Sequence, residues 1–229
     1  MKIISSQNMI NPKVLKNIRV ILALVIFYTT INRCIYSWNK EIPPLLFFTV
    51  QSNLICGLYW LIGSFFSKAR SNRLSFLVTT YITITGIVFV IFLDYGFLQQ
   101  IYTKLAVGEI TDIVHYYSMV GSIIAHYMIP FLALVDFLIF TDARELKQNG
   151  TVFIYPVCYF IFAITFAIMT GKYIYPFLNP DYVGGWAIVA LISIGILCII
   201  LVINKGLYLL NRRVQIKIDK YYNTVLEEK

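Results

Sequence analysis

His126 stands in the segment SIIAHYMIPFLALVDFLIF, with apolar residues on its C-terminal side as far as Asp136. A second polar group, Thr49, Gln51, Ser52 and Asn53, opens the apolar stretch FFTVQSNLICG at residues 47–57. At 100° per residue, Thr49, Ser52, Asn53 and Cys56 share one helical face, and Gln51 points nearly opposite. A hydroxyl beside an imidazole in a dry site is the minimal apparatus for acyl transfer. The histidine takes the proton of the alcohol, whose oxygen attacks an ester carbonyl, and returns it to the leaving group. Thr49 and His126 are the candidate nucleophile and base, with Asn53, Ser52 or a nearby tyrosine as donor to the oxyanion. The plainer roles compete: polar side chains tie helices together in a bilayer, each bond contributing roughly 0.6–2 kcal/mol, and His126 suits such an interhelical bond.

These residues have to be positioned by membrane-crossing helices. Of the 229 residues 59% are hydrophobic and 13% charged, and the mean hydropathy is +0.75, well outside the range of a soluble globular domain. About 20 apolar residues are needed to cross hydrocarbon roughly 30 Å thick. Six stretches qualify, near 17–37, 43–66, 74–97, 113–140, 151–170 and 184–207. The expectation is an all-α, polytopic protein with six transmembrane helices in one bundle, residues 1–229 forming a single domain. The first stretch lacks a small-x-small cleavage site and runs into Asn32 and Arg33, so it reads as a retained helix. The tail from Asn211 mixes charge with apolar residues and reads as a helical continuation.

The net charge of +8 is distributed as membrane orientation requires, not as nucleic-acid binding would. With the N-terminus inside, only Arg33, Lys40, Lys104 and Lys172 of the 19 basic residues fall outside. That asymmetry predicts cytoplasmic N- and C-termini and contact with anionic lipid head groups. Cys34, Cys56, Cys158 and Cys198 are scattered singly, which suggests neither a disulfide framework nor a metal site.

Depth is compatible with a Thr49–His126 meeting. Counted from Pro43, Thr49 lies roughly 9 Å into the second span, and His126 roughly 14–17 Å into the fourth, at 1.5 Å per residue. Pro130 cannot donate to the carbonyl of His126, so a kink is expected beside the imidazole. Asp136, about 15 Å further along, belongs to the other end, where Arg144 or another base is its expected partner. Asp94, near the end of the third span, is the remaining carboxylate candidate, and His115 reads as a solvated or mouth residue.

Other chemistries lack their residues. His115 and His126 sit on one span about 16 Å apart, too far along one helix for two haem ligands. The chain has no His-Glu-x-x-His, and Gly121-Ser122 lacks the Gly-x-Ser-x-Gly context. No cofactor or metal is expected. A small-solute transporter or a non-enzymatic lipid-binding protein remains open, since buried polar groups also coordinate ligands.

Thr49 within FFTVQSN, the segment HYMIPFLALVDFLIF and the stretch YPVCYFIFAI…GKYIYPFLNPD together resemble the androgen-induced, ADTRP-like family of six-span membrane proteins, in particular its bacterial branch. The resemblance covers most of the chain, and its best-matched motifs pair a Thr and an Asn of the second span with a His-x-x-x-Pro of the fourth. It implies a threonine-type hydrolase of fatty acid esters of hydroxy fatty acids, with Thr49 as nucleophile and His126 as its histidine. It also implies a bacterial plasma membrane location and a lipid substrate. The loop KYIYPFLNPDY, carrying Tyr173, Tyr175, Pro176 and Asp181, reads as an interfacial aromatic belt or as a lid over the cavity.

Overall fold

The computed structural model describes residues 11–37, 41–66, 71–92, 103, 120–147 and 149–227, and every regular element among them is helical. Asp94 and His115 lie outside the described residues, as do the end of the expected third span and the start of the fourth.

Helix α1 (Pro12–Tyr36) starts five residues before the expected boundary. Asn11 Oδ1 accepts the Lys13 N–H at 2.9 Å, and Pro12 occupies the first position, where a missing N–H costs nothing. A 3-10 turn at Pro44–Leu46 leads into α2 (Phe48–Phe65), followed by α3 (Asn72–Phe92) and α4 (Val120–Phe140). Helix α5 (Ile154–Thr170) ends at Gly171, whose φ of 69° lets its N–H close onto the Ala167 carbonyl. Helix α6 (Trp186–Glu227) has 42 residues. At 1.5 Å per residue that is about 63 Å, twice the hydrocarbon thickness, so its second half must leave the membrane.

Helices α1, α3, α4, α5 and α6 are long and apolar enough to cross a membrane. Helix α2 has 18 residues and is not among these five; its first turns hold Gln51, Ser52 and Asn53. The surface they present is greasy: Ile21, Leu24, Ile35, Phe131, Ile168 and Val202 all face outward. Such a surface is tolerable only against acyl chains. The chain is an all-helical, multispanning integral membrane protein.

Helices α1 to α4 close around Ile26, Trp60, Ile82 and Ile129, and α6 joins α3 and α4 through Phe76, Phe137 and Ile200. Two glycines permit the closest approaches. A Cβ on Gly57 would stand 3.2 Å from Phe27 of α1, and one on Gly86 would stand 3.0 Å from the His126 carbonyl oxygen. Small residues at such points let backbones meet where no hydrophobic effect drives helices together.

The far end of the bundle is ionic. Asp136 pairs with Arg19, which donates through Nε at 2.8 Å and Nη2 at 2.5 Å, and accepts from Trp60 Nε1 at 3.3 Å. The expected Arg144 pairing is therefore replaced by one across α1. Arg144 instead binds Asp142 and Asp219 and holds the Asp142 carboxyl below the usual carboxylate range. Beyond Phe137, whose carbonyl accepts from the Thr141 N–H, the last carbonyls of α4 lack helical donors. Asn211 of α6 donates to Phe137 and Thr141, and Gln215, one turn on, donates to Leu138. The continuation of α6 past the membrane thus caps its neighbour.

Candidate active site

The site begins as an incompletely capped helix. Phe47, the residue before α2, offers no side-chain cap; its carbonyl accepts from Val50 and Gln51, leaving the amides of Phe48 and Thr49 without a backbone acceptor. Buried amides need partners, and two tyrosines from distant sequence approach this turn. Tyr159 of α5 donates to the Leu46 carbonyl at 2.9 Å, and its oxygen lies against the Phe48 N–H. Tyr175, in the turn after α5, brings its hydroxyl to the Thr49 N–H, the Thr49 hydroxyl and Tyr159. Phe47 meets the Tyr175 ring edge-on at 5.6 Å and Phe177 stacks on it at 5.0 Å, fixing the phenol. Burial pushes the Tyr175 phenol above its ordinary pKa, and the Thr49 and Tyr159 contacts and the Arg33 charge oppose that push.

Thr49 is buried and forms part of the wall of two hollows. One is small and polar, about 30 Å³, between Thr29, Asn32, Arg33, Asn53 and Ala125. The other is apolar, about 400 Å³, and runs between α3, α5 and α6 past Ile84, Val88, Phe160 and Leu197. Its size falls in the range of small-molecule sites, roughly 300–1,000 Å³. Thr49 therefore stands where an apolar chamber adjoins a small hollow lined by polar residues.

His126 is also buried, and its ring lies flat on Phe89 with centroids 3.9 Å apart and planes 7° from parallel. Among the described residues, its Nδ1 has no hydrogen-bond partner. The kink expected at Pro130 takes the form of a π turn over Ile124–Met128, in which the Ile129 N–H bonds the Ile124 carbonyl. The next bond of that pattern would run from residue 130 to the Ala125 carbonyl, and proline has no N–H to give. Asn53 takes that place: its Nδ2 donates to the Ala125 carbonyl at 3.2 Å and to the Thr49 carbonyl at 2.7 Å. Asn53 thus joins the residue of α2 that carries the hydroxyl to the residue preceding His126 in α4.

The structure places Thr49, Asn53 and Ala125 on one pocket and His126 one residue beyond its wall. Among the described residues, no hydrogen bond joins Thr49 to His126. Ser52 turns to α3, 2.5 Å from Thr85 Oγ1, and lines neither hollow. Gln51, on the opposite face, accepts from Tyr155 of α5 at 3.0 Å.

Sequence reasoning assigned Arg33 only to an outer segment and Tyr175 to a belt or lid. Arg33 lines the polar hollow and acts electrostatically on both His126 and Tyr175. Its signal was present, a cation four residues after Thr29 and one after Asn32 at a span end, but nothing local says which helix faces it. Among the described residues, no group of three His, Cys, Asp or Glu side chains could hold a metal. Compared with family models, with curated proteins and with solved structures, the chain matches none of them.

Proposed function

We propose that the protein is an intramembrane hydrolase of lipid esters, with Thr49 as nucleophile and His126 as general base, in which α2 forms a sixth span and both termini face the cytoplasm. The observation that carries this reading is that Thr49 lines both an apolar chamber with room for an acyl chain and a small pocket lined with polar residues. An acyl chain in the apolar chamber presents its ester carbonyl at the threonine. Membership of the ADTRP-like family, a bacterial plasma membrane location and a substrate such as a fatty acid ester of a hydroxy fatty acid belong to the same proposal.

In the reaction, His126 accepts the Thr49 Oγ1 proton while that oxygen attacks the ester carbonyl. The tetrahedral intermediate expels the alkoxide, which takes the proton from His126 and leaves as the alcohol. Water, deprotonated by His126, then attacks the acyl-threonine; collapse breaks the acyl–Oγ1 bond, returns the proton to Oγ1 and releases the acid. Proton transfer requires the imidazole within about 3 Å of the oxygen or one water away, and catalytic hydrogen bonds often close only around substrate. The Tyr175 hydroxyl lies beside Thr49, whereas Asn53 already commits both N–H groups to carbonyls. Tyr175 is accordingly the better-placed oxyanion donor.

The test uses purified wild type, Thr49→Ala and His126→Ala with long-chain and branched fatty acid esters and a fluorophosphonate probe. Thr49→Ala should abolish turnover and labelling, and His126→Ala should lower turnover about 10²–10⁴-fold, as loss of a general base does. Undiminished turnover in both variants excludes the dyad. A non-catalytic lipid-binding or carrier role is the second reading, favoured by the lack of a direct Thr49–His126 bond. It predicts retained lipid with no turnover in any of the three proteins.

A further inference from the structure

Among the described arginines that are not exposed, Arg33 is the one whose bonding the fold does not account for. Arg19 is held by Asp136, Arg73 by Asn149 and Thr151, and Arg144 by Asp142 and Asp219. Arg33 is half-buried in the last turn of α1, with its guanidinium over the Phe47 ring at 5.8 Å, and its side chain makes no hydrogen bond or ion pair among the described residues. The negative end of the α1 dipole favours a cation at this position. That effect does not satisfy the five N–H groups of a guanidinium partly withdrawn from water.

We propose that Arg33 forms a head-group subsite that takes the anionic oxygens, carboxylate or phosphate, of an acyl lipid whose chain occupies the apolar cavity. The polar hollow that Arg33 lines is about 30 Å³. One water-sized probe needs roughly 10–15 Å³, so the space admits about two oxygen atoms. Thr29, Thr30, Asn32 and Asn53 supply the remaining polar wall. A planar fork of donors suits a carboxylate or phosphate, and the aromatic ring beneath it limits hydration and strengthens the attraction. Thr49 lines both this hollow and the apolar cavity, so a ligand reaching from one to the other passes its hydroxyl. This inference deepens the hydrolase reading by giving the chemistry of one end of its substrate, and it rests on that reading only for the ester at Thr49.

The experiment measures binding of oleate, dioleoyl phosphatidate and oleyl alcohol to the full chain in nanodiscs, by tryptophan fluorescence or calorimetry. Wild type should bind at least one of the two anions about tenfold or more tighter than the alcohol. Tighter oleate identifies a carboxylate as the natural head group, and tighter phosphatidate identifies a phosphate. Arg33→Gln should abolish the preference, Arg33→Lys should keep part of it, and Gly195→Ala, where open space surrounds the position, should leave it intact. No anion preference in wild type, or an undiminished one in Arg33→Gln, overturns the subsite. Should Arg33→Gln fail to fold, Arg33→Lys and the salt dependence of wild type decide. A preference reduced by the lysine and by high salt supports the subsite, and one unchanged by both overturns it. Wild type that prefers anions but hydrolyses nothing leaves the subsite standing and removes the hydrolase reading; turnover without anion preference does the reverse.

Discussion

Asn53 ties the Thr49 turn of α2 to the residue before His126 in α4. Its amide donates within α2 to Thr49 and across to Ala125 of α4, a carbonyl left without a helical donor by Pro130. Asn53→Ala leaves that buried carbonyl unsatisfied, which costs on the order of 1–3 kcal/mol. Its melting temperature should fall, and Asn53→Asp should be worse still, because an ionised carboxylate offers only acceptors to two acceptors. Thermal unfolding in detergent measures both, and unchanged melting in the pair removes the tie. Asn53 was legible in sequence because a strongly polar amide in an apolar stretch needs a reason, and helical periodicity put it on the Thr49 face. Tyr175 and Arg33 were not, because their meeting with Thr49 spans separations of 126 and 16 residues that no periodicity reports. The sequence named the hydroxyl and the imidazole but not the tyrosine and arginine around them.

At the scale of elements, the contact between α3 and α4 sets where His126 stands. Gly86 faces the π turn so closely that a Cβ would lie 3.0 Å from the His126 carbonyl oxygen and 3.2 Å from Pro130 Cβ. Both obstacles are backbone or ring atoms that cannot rotate away. Gly86→Val therefore pushes α4 outward, at a cost of about 1–3 kcal/mol for overpacking, and carries His126 with it. A lowered melting temperature is expected and, on the hydrolase proposal, weakened ester turnover. Gly195→Ala is the control, since open space surrounds that position, and it should leave both unchanged. Equal behaviour of the two variants would show that the α3–α4 approach tolerates a larger separation. Hydropathy located these helices well because burial in lipid demands long apolar runs. It gave no warning of the π turn, where a missing proline N–H changes hydrogen bonding without changing polarity. The last span ends near 207, where the apolar run stops, and the tail continues it as a helix, as its mixed pattern suggests: α6 runs on to Glu227 and packs Asn211 and Gln215 onto α4.

The whole molecule separates its polar groups by end. Arg33, Thr49, Tyr175 and the His126 turn gather at one end, and Arg19–Asp136, the Arg144 cluster and the caps from α6 lie at the other. The second end carries most of the basic residues, which is why charge asymmetry assigns it to the cytoplasm. That assignment and the sixth span are joined through α2, whose polar first turns keep it outside the five strongly apolar helices. If α2 crosses, the segments before α1 and after the membrane part of α6 share a side; if it does not, they lie on opposite sides. Lys13→Cys, Lys172→Cys and Lys220→Cys, each in a background with the four native cysteines changed to alanine, read this out with a membrane-impermeant maleimide. Six crossings with the N-terminus inside predict labelling at 172 on intact cells, and at 13 and 220 only after permeabilisation. Labelling of 13 and 220 from opposite faces would remove α2 from the membrane-crossing set. The reason for the dry surroundings of Thr49 would then have to be sought in protein packing and not in a crossing of α2.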